Sequence, residues 1–249
     1  MSSIPISFDL AGRRVAVVGG SSGIGLECVR LAAEAGAQVA AGGRSAERRT
    51  AAAASLGDAG ASVSWHEVDV QAPETMAAMF AALAPLDLIV FAATGTTRAM
   101  GPFMDMDMAG FQRSFGKLWG YANGVQQGVP HLAAEGGIVL VGGVVARKCP
   151  PGMIAVSSVG NAVEGFCRAL AVEIAPQRVN VVAPGTIDTA MHEALPAERR
   201  EAMYAQAART LPAGRVGRPE EVASAILAVG LNPYITGTTV DVDGGFLLP

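Results

Sequence analysis

The amino-acid sequence predicts an α/β protein built on a doubly wound parallel sheet with helices on both faces, and three observations carry that reading. Short β-branched runs alternate with longer Ala/Leu-rich segments, the pattern of βαβ units. The strand runs are nearly continuous in apolar residues, as in Val15-Ala16-Val17-Val18 and Leu88-Ile89-Val90-Phe91, which suits strands covered on both faces. The first of these runs leads directly into a glycine-rich turn, Gly19-Gly20-Ser21-Ser22-Gly23-Ile24-Gly25, followed by a helix. With 249 residues, 51% of them hydrophobic and 16% charged, the chain can bury a sizeable core and is too apolar for disorder.

In chain order the runs place strands at residues 14–19, 38–42, 63–68, 86–92, 137–141, 178–183 and 238–242. Helices fall between them at 23–35, 46–55, 73–83, 107–134, 152–174 and 220–231. The first helix starts inside the glycine-rich turn, and the second carries a short alanine run at 51–54. The most apolar stretch, 76–93, is cut by Pro85 and Asp87 into a helix and a strand, so it reads as core and not as a membrane span. Asp105 and Asp107, set among Met104, Met106 and Met108, read as a helix entry, where the dipole favours carboxylates. No linker, repeat or low-complexity tract interrupts the alternation, so residues 1–249 are read as one domain. Residues 186–217 are the least regular part and are read as a lid or insertion over a site.

Composition narrows the function classes. Eighteen Lys+Arg against 22 Asp+Glu give a net charge of −4, and no basic run offers a footprint for nucleic acid. The three cysteines (28, 149 and 167) and three histidines (66, 131 and 192) are scattered, which predicts neither a disulfide frame nor a metal site and suits a reducing cytoplasm. Met1-Ser2-Ser3-Ile4-Pro5 lacks the basic and apolar segments of a signal peptide.

The glycine-rich turn carries the strongest chemical signal. Glycines at Gly19, Gly23 and Gly25 let the backbone turn tightly and approach a pyrophosphate, with Ser21, Ser22 and Ile24 between them and a helix N-terminus beyond. From this turn onward the chain resembles the short-chain dehydrogenase/reductase family, whose fingerprint is Thr-Gly-x-x-x-Gly-x-Gly. Val68-Asp69-Val70 resembles the family's adenine-binding segment, and Arg178 through Thr189, with Pro184, Gly185 and Ile187, its nicotinamide-side signature. Gly214 to Ala223 and Ile235 to Gly245 match its C-terminal pattern. The resemblance implies a single Rossmann-like unit with a seven-stranded sheet in the order 3-2-1-4-5-6-7. It also implies a nicotinamide cofactor, held at the glycine-rich turn, Asp69, Val70, Ala92, Ala93 and the 184–189 segment. The second strand ends Gly42-Gly43-Arg44-Ser45: Gly43 removes the carboxylate that would repel a 2′-phosphate, and Arg44 offers a planar cation, so NADP(H) is expected over NAD(H), with Ser45 beside it.

Two departures from the family stand out. Val18 replaces the fingerprint's Thr, and Phe91-Ala92-Ala93-Thr94 replaces Asn-Asn-Ala-Gly, so both partners of a polar tie are apolar here. The second concerns the family's Asn-Ser-Tyr-Lys tetrad. The only lysines are Lys117 and Lys148, preceded four residues earlier by Arg113 and Val144, so no Tyr-x-x-x-Lys exists. The resemblance places the tetrad positions at Lys117 (Asn), Gly143 (Ser), Val156 (Tyr) and Gly160 (Lys). Neither Gly143 nor Val156 can supply a proton to the alkoxide formed by hydride transfer.

Lys117 is the candidate substitute. It shares a helix face with Tyr121, and it is expected to reach across a gap left at Gly160 to the nicotinamide ribose or the substrate. Desolvation there would lower its pKa towards that of a useful acid; the alternative is a side chain running along the helix to solvent. Cys149 reads as a loop thiol, and Arg147 and Lys148 as a solvated turn or as steering groups for an anion. Ser157 and Ser158 read as helix residues, and His131 and His192 have no nameable partner. Gly120, Gly124, Gly128, Gly160, Ala162 and Gly165 read as small residues on exposed turns of helices that pair in a homodimer or homotetramer. The substrate would lie along 94–106 and 186–212, partly apolar. Three functions remain open: an NADP(H)-dependent oxidoreductase with altered acid–base machinery, a non-catalytic NADP(H)-binding protein, or a scaffold without cofactor.

Overall fold

The computed structural model describes residues 7–93, 98–190 and 196–249. Seven parallel strands form one sheet: β1 (Arg14–Val18), β2 (Gln38–Gly43), β3 (Val63–Glu67), β4 (Leu86–Phe91), β5 (Leu132–Val141), β6 (Arg178–Pro184) and β7 (Thr239–Val242). Their order is β3-β2-β1-β4-β5-β6-β7, as expected. Among the described residues eight α-helices join them: α1 (Gly23–Glu34), α2 (Ala46–Ser55), α3 (Pro73–Leu83), α4 (Met108–Ser114), α5 (Gly116–Gly128), α6 (Ile154–Glu173), α7 (Ala197–Thr210) and α8 (Pro219–Leu231). No helix among the described residues is long and apolar enough to cross a membrane.

Strand alternation divides the core in two. Val15, Val17, Val39, Leu88, Val90 and Val139 face one side, under Cys28 and Val29 of α1 and Ile226 and Leu227 of α8. Ala16, Val18, Ala40, Ile89, Phe91, Ile138 and Leu140 face the other, against Met76 and Phe80 of α3, Tyr121 and Val125 of α5, and Val163 and Cys167 of α6. Both faces are covered, which is why the strands read as unbroken apolar runs.

Three expectations need correction. The long helix expected over 107–134 is two helices followed by a strand. Asp107 caps α4, accepting from the N–H groups of Ala109 and Gly110, and the Ser114 hydroxyl donates back to the Gly110 carbonyl at its end. After Gly128 the chain tightens into a single turn at Val129–His131, because Pro130 has no N–H to continue a helix, and β5 starts five residues before the predicted Gly137. Second, residues 186–217 are less irregular than expected, since α7 supplies 14 helical residues; its pattern was hard to read because none of them is buried. Third, Gly120, Gly124 and Gly128 of α5 are buried, not exposed. Gly120 packs on Val70, Gly124 on the Phe91 ring and Gly128 on Ile89 and Phe80.

The Gly124 contact explains the apolar end of β4. Phe91 is fully buried, with the Phe80 and Tyr121 ring centroids 6.3 and 5.7 Å away. A Cβ at Gly124 would overlap that ring. Val18 is equally buried, and β1 and β4 remain tied by the backbone bond from Ala92 N–H to Val18 O, 2.8 Å. A polar tie has thus been exchanged for aromatic packing with no group left unpaired. Gly124→Ala is expected to cost about 1–3 kcal/mol of stability through overpacking, read as a lower urea midpoint.

Candidate functional site

The glycine-rich turn lies at the carboxyl edge of β1, where doubly wound sheets take their ligands. The N–H groups of Gly19 and Gly20 donate to the Gly42 carbonyl at 2.9 and 3.0 Å, which stitches the turn to β2. Gly19 has φ +88°, and a Cβ there would sit 2.6 Å from the Ala93 nitrogen. At Gly25 a Cβ would overlap the Gly19 carbonyl oxygen, so α1 packs directly on the turn. Ser22 begins α1 in an extended conformation without a side-chain cap, and the first turn holds no carboxylate. The free N–H groups and positive dipole end at Gly23, Ile24 and Gly25 are therefore open to an anion. These residues fit a dinucleotide's pyrophosphate.

At the end of β2 the Ser21 hydroxyl fills the space beside Gly43, where a Cβ would lie 2.6 Å from its Oγ. Arg44 is exposed, and its guanidinium takes part in no hydrogen bond or ion pair among the described residues. The Ser45 hydroxyl caps α2, accepting from Arg48 N–H at 3.2 Å. Arg49, which sequence reasoning passed over, donates to the carbonyls of Gly43 and Arg44 at 2.5 and 2.9 Å and so fixes the strand end that presents Arg44. Asp69 Oδ1 accepts from Gln71 N–H at 3.0 Å, shaping the turn after β3, while Val70 supports Gly120. Ala92 and Ala93 form the wall against Gly19.

On the far side, Gly185 N–H donates to the Val242 carbonyl at 3.0 Å, and Ile187 pairs with Gly217 as an isolated bridge. The segment from Pro184 then brings Thr189 back to the start of α1, 3.6 Å from where a Gly23 side chain would begin. Beside it an open cleft of about 510 Å³ is lined by Asp188, Thr189, Ala190, Arg200 and Tyr204. The Tyr204 hydroxyl donates to Asp188 Oδ1 at 2.7 Å. Its pKa is pushed up to about 12 by desolvation and by that bond. Sequence reasoning placed Asp188, Arg200 and Tyr204 within the 186–212 stretch expected along the substrate but singled out none of them, since their contacts join separate parts of that stretch. Thr94 and His192 lie outside the described residues.

The gap expected at Gly160 does not exist. Ala146 fills it: a Cβ at Gly160 would lie 2.8 Å from the Ala146 methyl. The Ala146 carbonyl accepts from Asn161 Nδ2 at 2.5 Å and Ser157 Oγ at 3.3 Å, so the turn after β5 is fastened to α6. Open space lies at Gly143 instead, where a Cβ would meet nothing within 4 Å. Lys117 points to this place. Its Nζ is 3.4 Å from the Gly142 carbonyl and 5.5 Å from the Tyr121 ring centroid. The side chain is half-buried, and its pKa falls to about 7, first through desolvation and then through the charge of Arg98. Tyr121 spends its hydroxyl on the Val141 carbonyl at 3.0 Å, and burial holds the phenol protonated.

Arg147 and Lys148 lie exposed on the turn after β5, as the solvated-turn reading expected, and each also has fixed partners. Arg147 bridges Glu164 of α6 and Asp241 of β7, and Lys148 Nζ donates to the carbonyls of Phe246 and Leu248 at 2.7 and 2.8 Å. Cys149 is exposed. Among the described residues no cluster of three His, Cys, Asp or Glu side chains forms a metal site.

Comparison with known proteins agrees with this architecture. The family model for enoyl-(acyl carrier protein) reductases matches residues 18–247. Cis-4-hydroxycyclohexanecarboxylate dehydrogenase of Sinomonas cyclohexanicum is 36% identical over 245 residues, 94% of this chain and 96% of that one. A solved short chain dehydrogenase/reductase family protein superposes with a TM-score of 0.81 at 32% identity, over 96% of this chain and 98% of the other. A short chain oxidoreductase from Pseudomonas aeruginosa PAO1, solved with NADPH bound and described as containing an atypical catalytic center, gives a TM-score of 0.88 at 32% identity over 97% and 99% of the two chains. With the family model spanning nearly all of its length and relatives at this level of identity, the chain belongs to the short-chain dehydrogenase/reductase family.

Proposed function

We propose that this chain is an NADP(H)-dependent oxidoreductase that works without a Tyr-x-x-x-Lys pair and takes its proton from Lys117. One observation carries the reading: a half-buried amine with its pKa brought to about 7 borders the open space at Gly143, on the same sheet edge as the phosphate cradle. A general acid is most useful when its pKa lies near the working pH. The cofactor would be held by Gly19, Ser21, Ser22, Gly23, Ile24 and Gly25 at its pyrophosphate, by Arg44 and Ser45 at a 2′-phosphate, and by Asp69 and Val70 at the adenine. Ala92, Ala93, Lys117, Pro184, Gly185, Ile187 and Thr189 would hold its nicotinamide end. Once bound, a nicotinamide supplies the hydride; Lys117 would protonate the oxygen that becomes an alkoxide. The P. aeruginosa relative, solved with NADPH bound, supports the NADP(H) half of this reading.

Residues 186–217 would cover the substrate, with α7 as the covering element. A second copy of the chain would sit on the α4–α5 face, where Trp119 is 63% exposed beside Phe111, Phe115 and Leu118. Calorimetric titration tests the cofactor reading. NADPH is expected to bind more tightly than NADH, and Arg44→Ala to weaken NADPH about tenfold, the worth of one exposed charge-assisted contact of roughly 1.4 kcal/mol, with NADH unchanged. Equal affinities for the two nucleotides would refute the NADP(H) preference. A second reading, a non-catalytic NADP(H)-binding protein, is favoured by the side chains at Gly143, Val156 and Gly160, none of which can donate a proton. Reductive turnover with any carbonyl acceptor would exclude it.

A further inference from the structure

One face of α7 is turned inward. Arg200, Met203, Tyr204 and Ala207, spaced as a single helical stripe, are partly buried, and every other residue of the helix is exposed. The Tyr204 hydroxyl fastens this face to Asp188 at 2.7 Å. Arg200 stands one turn earlier on the same stripe and lines the cleft that Asp188, Thr189 and Ala190 enclose from the other side. Among the described residues Arg200 enters no ion pair, not even with Asp188 in the same cleft. Asp188 is the acid of the cleft, and its Oδ1 is occupied by Tyr204.

Thr189 belongs to two places at once. It lines the cleft beside Arg200, and its Cβ and Cγ2 each lie 3.6 Å from where a Gly23 side chain would begin. An anion on the free N–H groups of Gly23, Ile24 and Gly25 therefore has Thr189 at its side, with the Arg200 cleft adjoining.

The charge balance of the phosphate cradle points the same way. A dinucleotide's pyrophosphate carries about two negative charges, whereas a helix start offers the equivalent of about half a positive one. Residues 19–25 contain no lysine or arginine. The first cation along α1 is Arg30, which is paired with Glu27 and donates to the Ser55 carbonyl. Arg44 stands at the end of β2, where the 2′-phosphate reading places it. The cradle is thus short of positive charge, and an uncommitted guanidinium, whose planar fork suits phosphate oxygens, lines the neighbouring cleft.

We infer that Arg200 pairs with the cofactor's pyrophosphate, which is then held between the start of α1 and the inner face of α7, with Thr189 beside it. The inference rests on the nucleotide-binding half of the proposed function and adds a residue to it. Arg200 recognises the part that NADPH and NADH share, so it supplies affinity without selectivity, whereas Arg44 supplies selectivity. The helix that covers the substrate also clamps the nucleotide.

Calorimetric titration of the full chain with NADPH, NADH and ADP-ribose tests this without any turnover. ADP-ribose keeps the pyrophosphate and lacks the nicotinamide. Arg200→Gln is expected to weaken all three by the same factor, about tenfold, the worth of one charge-assisted contact. Arg199→Gln removes a neighbouring charge from the exposed face of α7 and is expected to leave all three unchanged. The urea midpoint of Arg200→Gln should match that of the wild type, which separates lost contact from lost folding. Unchanged binding of ADP-ribose to Arg200→Gln would overturn the inference. So would a loss confined to NADPH, which would place Arg200 at the 2′-phosphate, or an equal loss in Arg199→Gln, which would make the effect one of net charge. Tight wild-type binding of NADPH with no response to Arg200→Gln would refute the inference alone. Equal wild-type affinities for NADPH and NADH, with the common tenfold loss intact, would refute only the NADP(H) preference. A wild type that binds none of the three would overturn both readings.

Discussion

Replacement of Lys117 by alanine is expected to lower carbonyl reduction about 10²–10⁴-fold, the usual contribution of a positioned acid. At 1.36 kcal/mol per decade this is roughly 3–5 kcal/mol of transition-state stabilisation. NADPH affinity should change far less, because the pyrophosphate cradle at Gly19–Gly25 and Arg44 is untouched. The pH profile carries a second signature. The active form is the protonated amine, so wild-type reduction should fall as pH rises through about 7, and the residual rate of the variant should lose that dependence. A variant with unchanged turnover would remove Lys117 from the chemistry. A variant that loses only NADPH affinity would make it a ribose ligand.

Arg178→Met is expected to have the largest effect on stability, about 3 kcal/mol or more. Arg178 is 7% exposed and lies in β6 below the end of α8. Its guanidinium donates to the carbonyls of Asn232 at 2.6 Å, Gly230 at 2.9 Å and Glu135 at 3.3 Å. Two of these are carbonyls at the end of α8, where a cation also meets the negative end of the dipole. Burial lowers the pKa of the side chain from its very high ordinary value. Methionine fills much of the volume but satisfies none of the carbonyls, and each buried acceptor left alone costs about 1–3 kcal/mol. A lower urea midpoint with an unchanged slope checks the prediction. A loss under 1 kcal/mol would mean that water reaches those carbonyls.

The residues that were legible in the sequence are those whose partners are local or generic. Val15–Val18 and Leu88–Phe91 could be read as strands because any covered parallel sheet demands such runs, and Gly19–Gly25 because a tight turn before a helix admits few residues. Lys117 entered through the family resemblance, which sets it at the tetrad's Asn position, and its role is the proposal made above. The failures involve partners that sequence distance hides. Arg147 and Asp241 are 94 residues apart, and Lys148 meets carbonyls 98 and 100 residues away, so a two-residue basic cluster gave no hint of being a brace for the C-terminal segment. Gly120, Gly124 and Gly128 looked like an external stripe because the bulk they accommodate, Val70, Phe91 and Ile89, lies on other elements. α7 was missed because a helix that buries nothing leaves no apolar stripe to read.

The closeness of Ala146 to Gly160 decides what position 160 will accept. A lysine introduced there would begin with a Cβ only 2.8 Å from the Ala146 methyl, and that turn is pinned to α6 by Asn161 and Ser157. A side chain at 160 therefore needs a matching shift of the turn that carries Ala146, whereas position 143, with nothing within 4 Å, takes one without any such shift. The two positions differ in tolerance because one is closed by a fastened neighbour and the other opens on free space.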